Sequence, residues 1–189
     1  NLAIKGIVGK SKRKCHIITQ ATEHNAVLDT CKAIERKGWS ITILPVDSTG
    51  MVDPKLIADT INDQTALISI MHANNEIGTI QDIKKIGEIC KEYNAIFHSD
   101  TVQTIAHYPF DMKSLNIDFM AASAHKFHGP KGVGFVYISE NIQIQPFLRG
   151  GAQERNMRAG TENIYGIAGL VMAMEMAYRN LDAEVKYIK

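Results

Sequence analysis

The stretch SAHKFHGPKGVG, residues 123–134, places Lys126 directly after His125 and follows it with His128 and a Gly-Pro-Lys-Gly run. A primary amine in such a setting has two uses. It can sit as a solvated basic turn, or it can act as a nucleophile or proton carrier over a bound ligand. Asp100 in HSDTVQT is the carboxylate that could share its pocket. Taken alone, an aspartate and a lysine make a plain salt bridge. The surrounding polar residues decide whether that reading suffices, and their placement depends on the elements that carry them.

Apolar runs mark the strands. Residues 16–19 (HIIT), 40–46 (SITILPV), 65–71 (TALISIM), 95–98 (AIFH), 117–123 (IDFMAAS) and 135–139 (FVYIS) are rich in β-branched or apolar side chains. TALISIM does not alternate, which fits a strand covered on both faces of a parallel sheet. Helical patterns separate them. Val27, Cys31 and Ile34 recur at helical spacing, with Gly38 placed as the residue after the C-cap. Asp53 and Pro54 make an N-cap and first-turn pair for residues 53–62. Ile83, Ile86, Ile89 and Cys90 form one stripe over 82–94, and 164–189 reads as one long helix. Strands alternating with helices predict the α/β class, with a mostly parallel, mixed sheet flanked by helices.

In such sheets ligands gather beyond the carboxyl ends of the strands. That rule selects Thr22, Glu23 and His24; His72, Asn74 and Asn75; Asp100 and Gln103; and Ser123, His125 and Lys126. A pyridoxal 5'-phosphate enzyme needs members of this set: an amine for a Schiff base, a carboxylate beside the pyridine nitrogen, a planar group over the ring, and donors for the ring oxygen and phosphate. Lys126, Asp100, His24, Gln103 and Ser123 supply one candidate each. Every one also has a bland reading: His24 as a surface residue at a helix start, Gln103 as an ordinary polar residue, Ser123 and His125 as strand terminators, and the asparagines as turn formers. The glycines of 129–134 lack the lysine-Ser/Thr ending and spacing of a nucleotide-binding P-loop. A metal reading through His98, Asp100, His125 and His128 lacks a close histidine pair on one element.

The remaining features narrow the class. Lys plus Arg number 21 against 20 Asp plus Glu, a net charge of +1, which gives no reason for a nucleic-acid or anionic-membrane partner. The apolar stretch 167–177 is broken by Glu175 and is too short to span a bilayer. Three cysteines, Cys15, Cys31 and Cys90, form no CxxC pair, and together with the absence of a secretory signal they suggest reduced thiols in a cytoplasmic setting. The sequence opens NLAIK without Met and stops inside a helical pattern, so a piece of a longer protein is expected.

Five stretches, TEHNAVL, NNEIGTIQDI, HSDTVQT, SAHKFHGPKGVG and GGAQERNMRAGTEN, resemble those of the cysteine desulfurases. These belong to the class V aminotransferase branch of fold-type I pyridoxal phosphate enzymes. The resemblance runs from Leu2 to at least Tyr178 and implies that 1–189 is most of the cofactor-binding large domain. It implies that Lys126 holds the cofactor as a Schiff base, Asp100 pairs with the ring nitrogen, and Gln103 bonds the ring oxygen. It further implies that His24 stacks on the ring and Ser123 and His125 hold the phosphate. Asn75 would lie near the ring oxygen and substrate. Thr161 would reach the phosphate of a second subunit, which implies a homodimer.

The implied reaction takes sulfur from L-cysteine, leaving alanine and an enzyme persulfide. The sulfur then passes to an acceptor protein, a scaffold for iron–sulfur assembly or a tRNA-thiolation factor. In the resembling family the nucleophilic cysteine and the arginine for the substrate carboxylate lie in a C-terminal small domain, and a phosphate-binding turn precedes the position of Asn1. All three would lie outside this sequence, so the piece alone is expected to be inactive. The alternatives are a selenocysteine lyase or aminotransferase on the same site, or a non-catalytic scaffold. Retention of both Lys126 and Asp100 counts against the scaffold.

Overall fold

A computed structural model describes residues 1–11 and 15–188. Six strands form one sheet: β1 (His16–Gln20), β2 (Ser40–Leu44), β3 (Thr65–Ser69), β4 (Ile96–Asp100), β5 (Phe119–Ser123) and β6 (Gly134–Ile138). Their order is β2-β1-β3-β4-β5-β6. The first five run parallel, and β6 returns antiparallel to β5. This is the mostly parallel mixed sheet that the alternating apolar runs predict.

Among the described residues six α-helices accompany it: α1 (Leu2–Lys10), α2 (Asn25–Glu35), α3 (Pro54–Thr60), α4 (Ile83–Glu92), α5 (Met112–Leu115) and α6 (Ile164–Ile188). Successive strand side chains point to opposite faces, and β1 shows the consequence. Ile17 joins Leu67 and Phe119 under α1 and α2, packed on Ile4, Ile7, Val27, Cys31 and Ile34. Ile18 joins Ile68, Phe97 and Met120 on the other face, against Ile57, Ile86, Cys90 and Leu170. Both faces are therefore covered, which is why the central strands carry no polar alternation. No described helix is long and apolar enough to cross a membrane.

The local signals act where expected. Asp53 Oδ1 accepts the Lys55 N–H at 2.8 Å at the start of α3, and Asp82 Oδ1 accepts that of Lys85 at 3.0 Å at the start of α4. Three details differ from the sequence reading. The chain keeps winding after α2, through Lys37 N–H to Ile34 O and Gly38 N–H to Glu35 O. The left-handed Gly38 (φ 90°) thus falls one residue later than predicted. Helix α1 had no predicted counterpart, because Asn1 stands at its N-cap without a side-chain cap bond. Helix α5 has only four residues and no periodicity to read. The last residue of the predicted 164–189 helix, Lys189, and the basic residues 12–14 lie outside the described residues.

Candidate active site

The carboxyl ends of β1, β3, β4 and β5 are adjacent in the sheet order, and the loops that leave them carry the predicted set. Asp100 ends β4 in register with Ala121 of β5. It is half-buried, and Oδ1 accepts the Val102 N–H at 3.0 Å. Burial pushes its carboxyl above the usual aspartate range, while the Val102 N–H and the nearby His24 ring pull it back. A carboxylate in this position stabilises a positive charge placed against it.

The turn after Asp100 is held from several directions. Thr101 Oγ1 donates to Ala121 O at 2.7 Å, tying the turn to β5. Thr104 Oγ1 lies 2.9 Å from His72 Nδ1, and the His72 N–H donates to Asp100 O at 2.9 Å. Burial among Tyr108 and Phe110 lowers His72 to about 4, so it is neutral at physiological pH. Gln103 sits half-buried inside this braced turn.

Lys126 lies on a single 3₁₀ turn, Ala124–Phe127, immediately past β5. Ala124 and Phe127 are buried and anchor the turn, leaving His125 and Lys126 exposed. The following run supplies the tight return: a Cβ on Gly129 would stand 2.8 Å from Ala124 Cβ, and one on Gly169 of α6 would stand 2.6 Å from Pro130. The glycine-proline segment is thus the seat on which α6 presses the lysine turn. His107 Nε2 is 3.2 Å from Lys126 O and latches the turn from the β4 side.

The plain salt bridge does not form. The ion pairs among the described residues are Lys32–Asp29 and Lys85–Glu88, both on the surface. The Lys126 amine makes no hydrogen bond there either. Carboxylate and amine stand on neighbouring strand ends and are not spent on each other.

Ser123 Oγ and His125 Nδ1 are 2.8 Å apart, so these two predicted neighbours are one unit. His24 is the N-cap of α2, with Nδ1 accepting the Ala26 N–H at 3.1 Å. In the neutral ring this leaves the hydrogen on Nε2. The bland reading of His24 as a helix-start residue is therefore true locally, and its ring also lies near enough to Asp100 that a positive charge on it would lower that carboxyl.

Asn74 is a turn former, with Oδ1 accepting from Glu76 and Ile77 N–H at 2.8 and 3.0 Å. Asn75 and Thr161 are exposed, and neither bonds another predicted site residue among the described residues. The four residues of the metal reading, His98, Asp100, His125 and His128, are not brought together: no three His, Cys, Asp or Glu side chains among the described residues converge, and His98 is buried against Ser69 Oγ at 2.8 Å. The sequence reading assigned no role to His72, Thr104 or His107, whose contacts join segments distant along the chain.

Two hollows border these elements. One of about 470 Å³ is lined by Lys5, His24, Asp29 and Thr30. The other, about 730 Å³, runs along β6 between Phe135, Tyr137, Arg155 and Arg158. Neither is lined by Asp100 or Lys126. Cys31 and Cys90 are buried, and burial pushes their thiols up to about 11 and about 12, which makes them poor nucleophiles.

Residues 1–186 match the family described as "Aminotransferase class-V". The chain belongs to that family. Within the class-V aminotransferases it is similar to the cysteine desulfurase IscS of Methanosarcina thermophila, 55% identical over 96% of this chain and 45% of the relative. It is 52% identical to that of Clostridium botulinum (strain Hall), over 97% of this chain and 47% of the relative. The chain thus spans about half the length of the curated relatives it matches. Among solved structures it superposes on a NifS-like protein with a TM-score of 0.93 at 44% identity, over 97% of this chain and 51% of the other. It superposes on SspA in complex with cysteine with a TM-score of 0.91 at 39% identity, over 93% and 51% of the two chains.

Proposed function

We propose that this chain is the cofactor-binding large domain of a pyridoxal 5'-phosphate-dependent cysteine desulfurase. The observation that carries the reading is the pairing of a half-buried Asp100 carboxylate with an uncommitted Lys126 amine on adjacent strand ends. Class-V membership and identity near one-half to cysteine desulfurases support it.

The donor set fits the group. Asp100 would hold a proton on the ring nitrogen, Gln103 would bond the ring oxygen, Asn75 would lie near that oxygen and the substrate, and the His24 ring would cover one face. Ser123 and His125 would take the phosphate. When bound, pyridoxal phosphate supplies an electron sink for the bonds at the substrate Cα.

This chain's part is proton handling and orientation. The Lys126 amine would move a proton from the Cα of L-cysteine, and the His107 contact with the Lys126 carbonyl holds the turn that carries it. Alanine is the organic product, and sulfur leaves as a persulfide on a cysteine of the whole enzyme. A sulfur-acceptor protein for iron–sulfur assembly or tRNA thiolation would take it onward. Thr161, exposed ahead of α6, would complete the phosphate site of a second subunit in a homodimer. The setting is cytoplasmic.

Full-length protein loaded with pyridoxal phosphate, reduced with borohydride and mapped by peptide, should carry the cofactor on Lys126. The same protein should release alanine and form sulfide from L-cysteine with a thiol present. An adduct on Lys131, or turnover of selenocysteine alone, overturns the assignment.

A further inference from the structure

Glu23 is a carboxylic side chain in a place where carboxylates are rare. It is 5% exposed, and a buried acid without a cation needs a structural reason. Oε1 accepts the Met71 N–H at 2.5 Å, a bond across 48 positions of sequence. Oε2 is buried and finds no well-aligned hydrogen-bond partner among the described residues, nor do the hydroxyl of Thr22 and both amide atoms of Gln20, although the Gln20 side chain lies close enough to favour the charged carboxylate.

A second tie runs parallel to the first. Asn74 Nδ2 donates to Thr22 O at 2.7 Å. The turn 22–24, which ends in His24, is thereby fastened to residues 71–74 by one carboxyl and one amide. Residue 72 of that segment donates its N–H to Asp100 O. A chain of short contacts therefore runs from His24 through Glu23, Met71 and His72 to Asp100.

We propose that Glu23 is a positioning residue of the cofactor site, the bolt that fixes the His24 ring relative to the Asp100 carboxylate. The inference rests on the cofactor reading given above. Burial pushes the Glu23 carboxyl above the usual range and the Asp100 charge adds to that, while the Met71 N–H and the Gln20 side chain pull it back. In either protonation state the carboxyl can accept the Met71 N–H. Glutamine has the same shape, the same acceptor and no charge, so it should do the same work. Leucine keeps the volume and lacks the acceptor. Aspartate keeps the acid and falls one methylene short of Met71.

The test uses full-length protein loaded with pyridoxal phosphate. The readouts are the visible cofactor band, its induced circular dichroism, which reports ring orientation, and the dissociation constant for the cofactor. Glu23→Gln should match wild type within about twofold. Glu23→Leu and Glu23→Asp should each weaken cofactor binding about tenfold, the loss of one buried hydrogen bond. Both should also reduce the induced signal with unchanged far-ultraviolet spectra.

His24→Ala should give a comparable loss of signal, and adding Glu23→Asp to it should cost little more. A Glu23→Asp protein identical to wild type overturns the bolt, and so does a Glu23→Gln protein as impaired as Glu23→Leu. A wild-type protein that takes up no cofactor overturns the proposed function and this inference together. A loaded wild type with indifferent variants overturns this inference alone.

Discussion

The buried His98 gives a stability prediction with a computable size. His98 is 5% exposed in β4, bonded to Ser69 Oγ at 2.8 Å, and burial holds it at about 3 against an ordinary value of 6.5. The folded state therefore binds fewer protons than the unfolded chain between those two values. Stability from this group is present above pH 6.5 and is lost as the pH falls toward 3. At pH 5 the unfolded chain gains about 2 kcal/mol from protonating this one imidazole, against less than about 0.2 kcal/mol at pH 7. The perturbation is His98→Asn, which keeps a polar atom for Ser69 and removes the titration. Its packing cost is the same at every pH, so the readout is the difference between the two proteins. Urea unfolding followed through Trp39, the single tryptophan and buried under α1 and α2, should be run at pH 7, 6 and 5. The gap between wild type and variant should close by about 2 kcal/mol from pH 7 to pH 5. Asp100 and Glu23, whose carboxyls burial pushes upward, stabilise in the opposite direction on acidification. They are present in both proteins and cancel. Parallel pH curves would refute the claim that His98 is neutral because it is buried.

Two further outcomes test other parts of the argument. Asp100→Asn in the full-length protein should fold and still take up cofactor, but lose turnover by two orders of magnitude or more, roughly the ~3 kcal/mol of a charge-assisted contact; unchanged turnover from L-cysteine would remove Asp100 from the mechanism. Gly87→Ala in α4 should destabilise by about 1–3 kcal/mol, because a methyl there would drive into the Leu115 carbonyl oxygen, a backbone atom that cannot rotate away; an unchanged urea midpoint would show that the α4–α5 approach is slack.

Much of this was legible in the sequence, and the boundary has a physical cause. Each of the six strands and α2, α3, α4 and α6 announced itself through apolar period, caps or length, signals that live within a dozen residues. Helix α1 was silent because its N-cap side chain makes no capping bond and instead accepts from Thr30 Oγ1 of α2, and α5 because one turn has no period. The candidate site was legible for a different reason. A parallel sheet puts every strand's carboxyl end on one edge, so naming the strands named Asp100, Ser123, His125 and Lys126. The rule gave positions and not contacts. It selected Glu23 and His72 but could not say what either touches, because Glu23 meets Met71, His72 meets Thr104 and His107 meets Lys126 only after the sheet is ordered.

That ordering also explains why the lysine sits past its strand rather than on it. Within β5 a side chain is committed to one covered face, and a charged amine there would need a buried partner. One residue beyond the strand, the chain turns through Ala124–Phe127, with two apolar side chains sunk into the core and the two polar ones turned outward. The glycine and proline that follow let α6 close down on the turn. The Lys126 side chain is thus left exposed while its backbone is held by His107 and α6. Under the proposed function, an amine that bonds a ligand, releases it and carries a proton between those events would need a fixed root and a free tip. A surface loop would supply the second without the first, and a strand interior the first without the second.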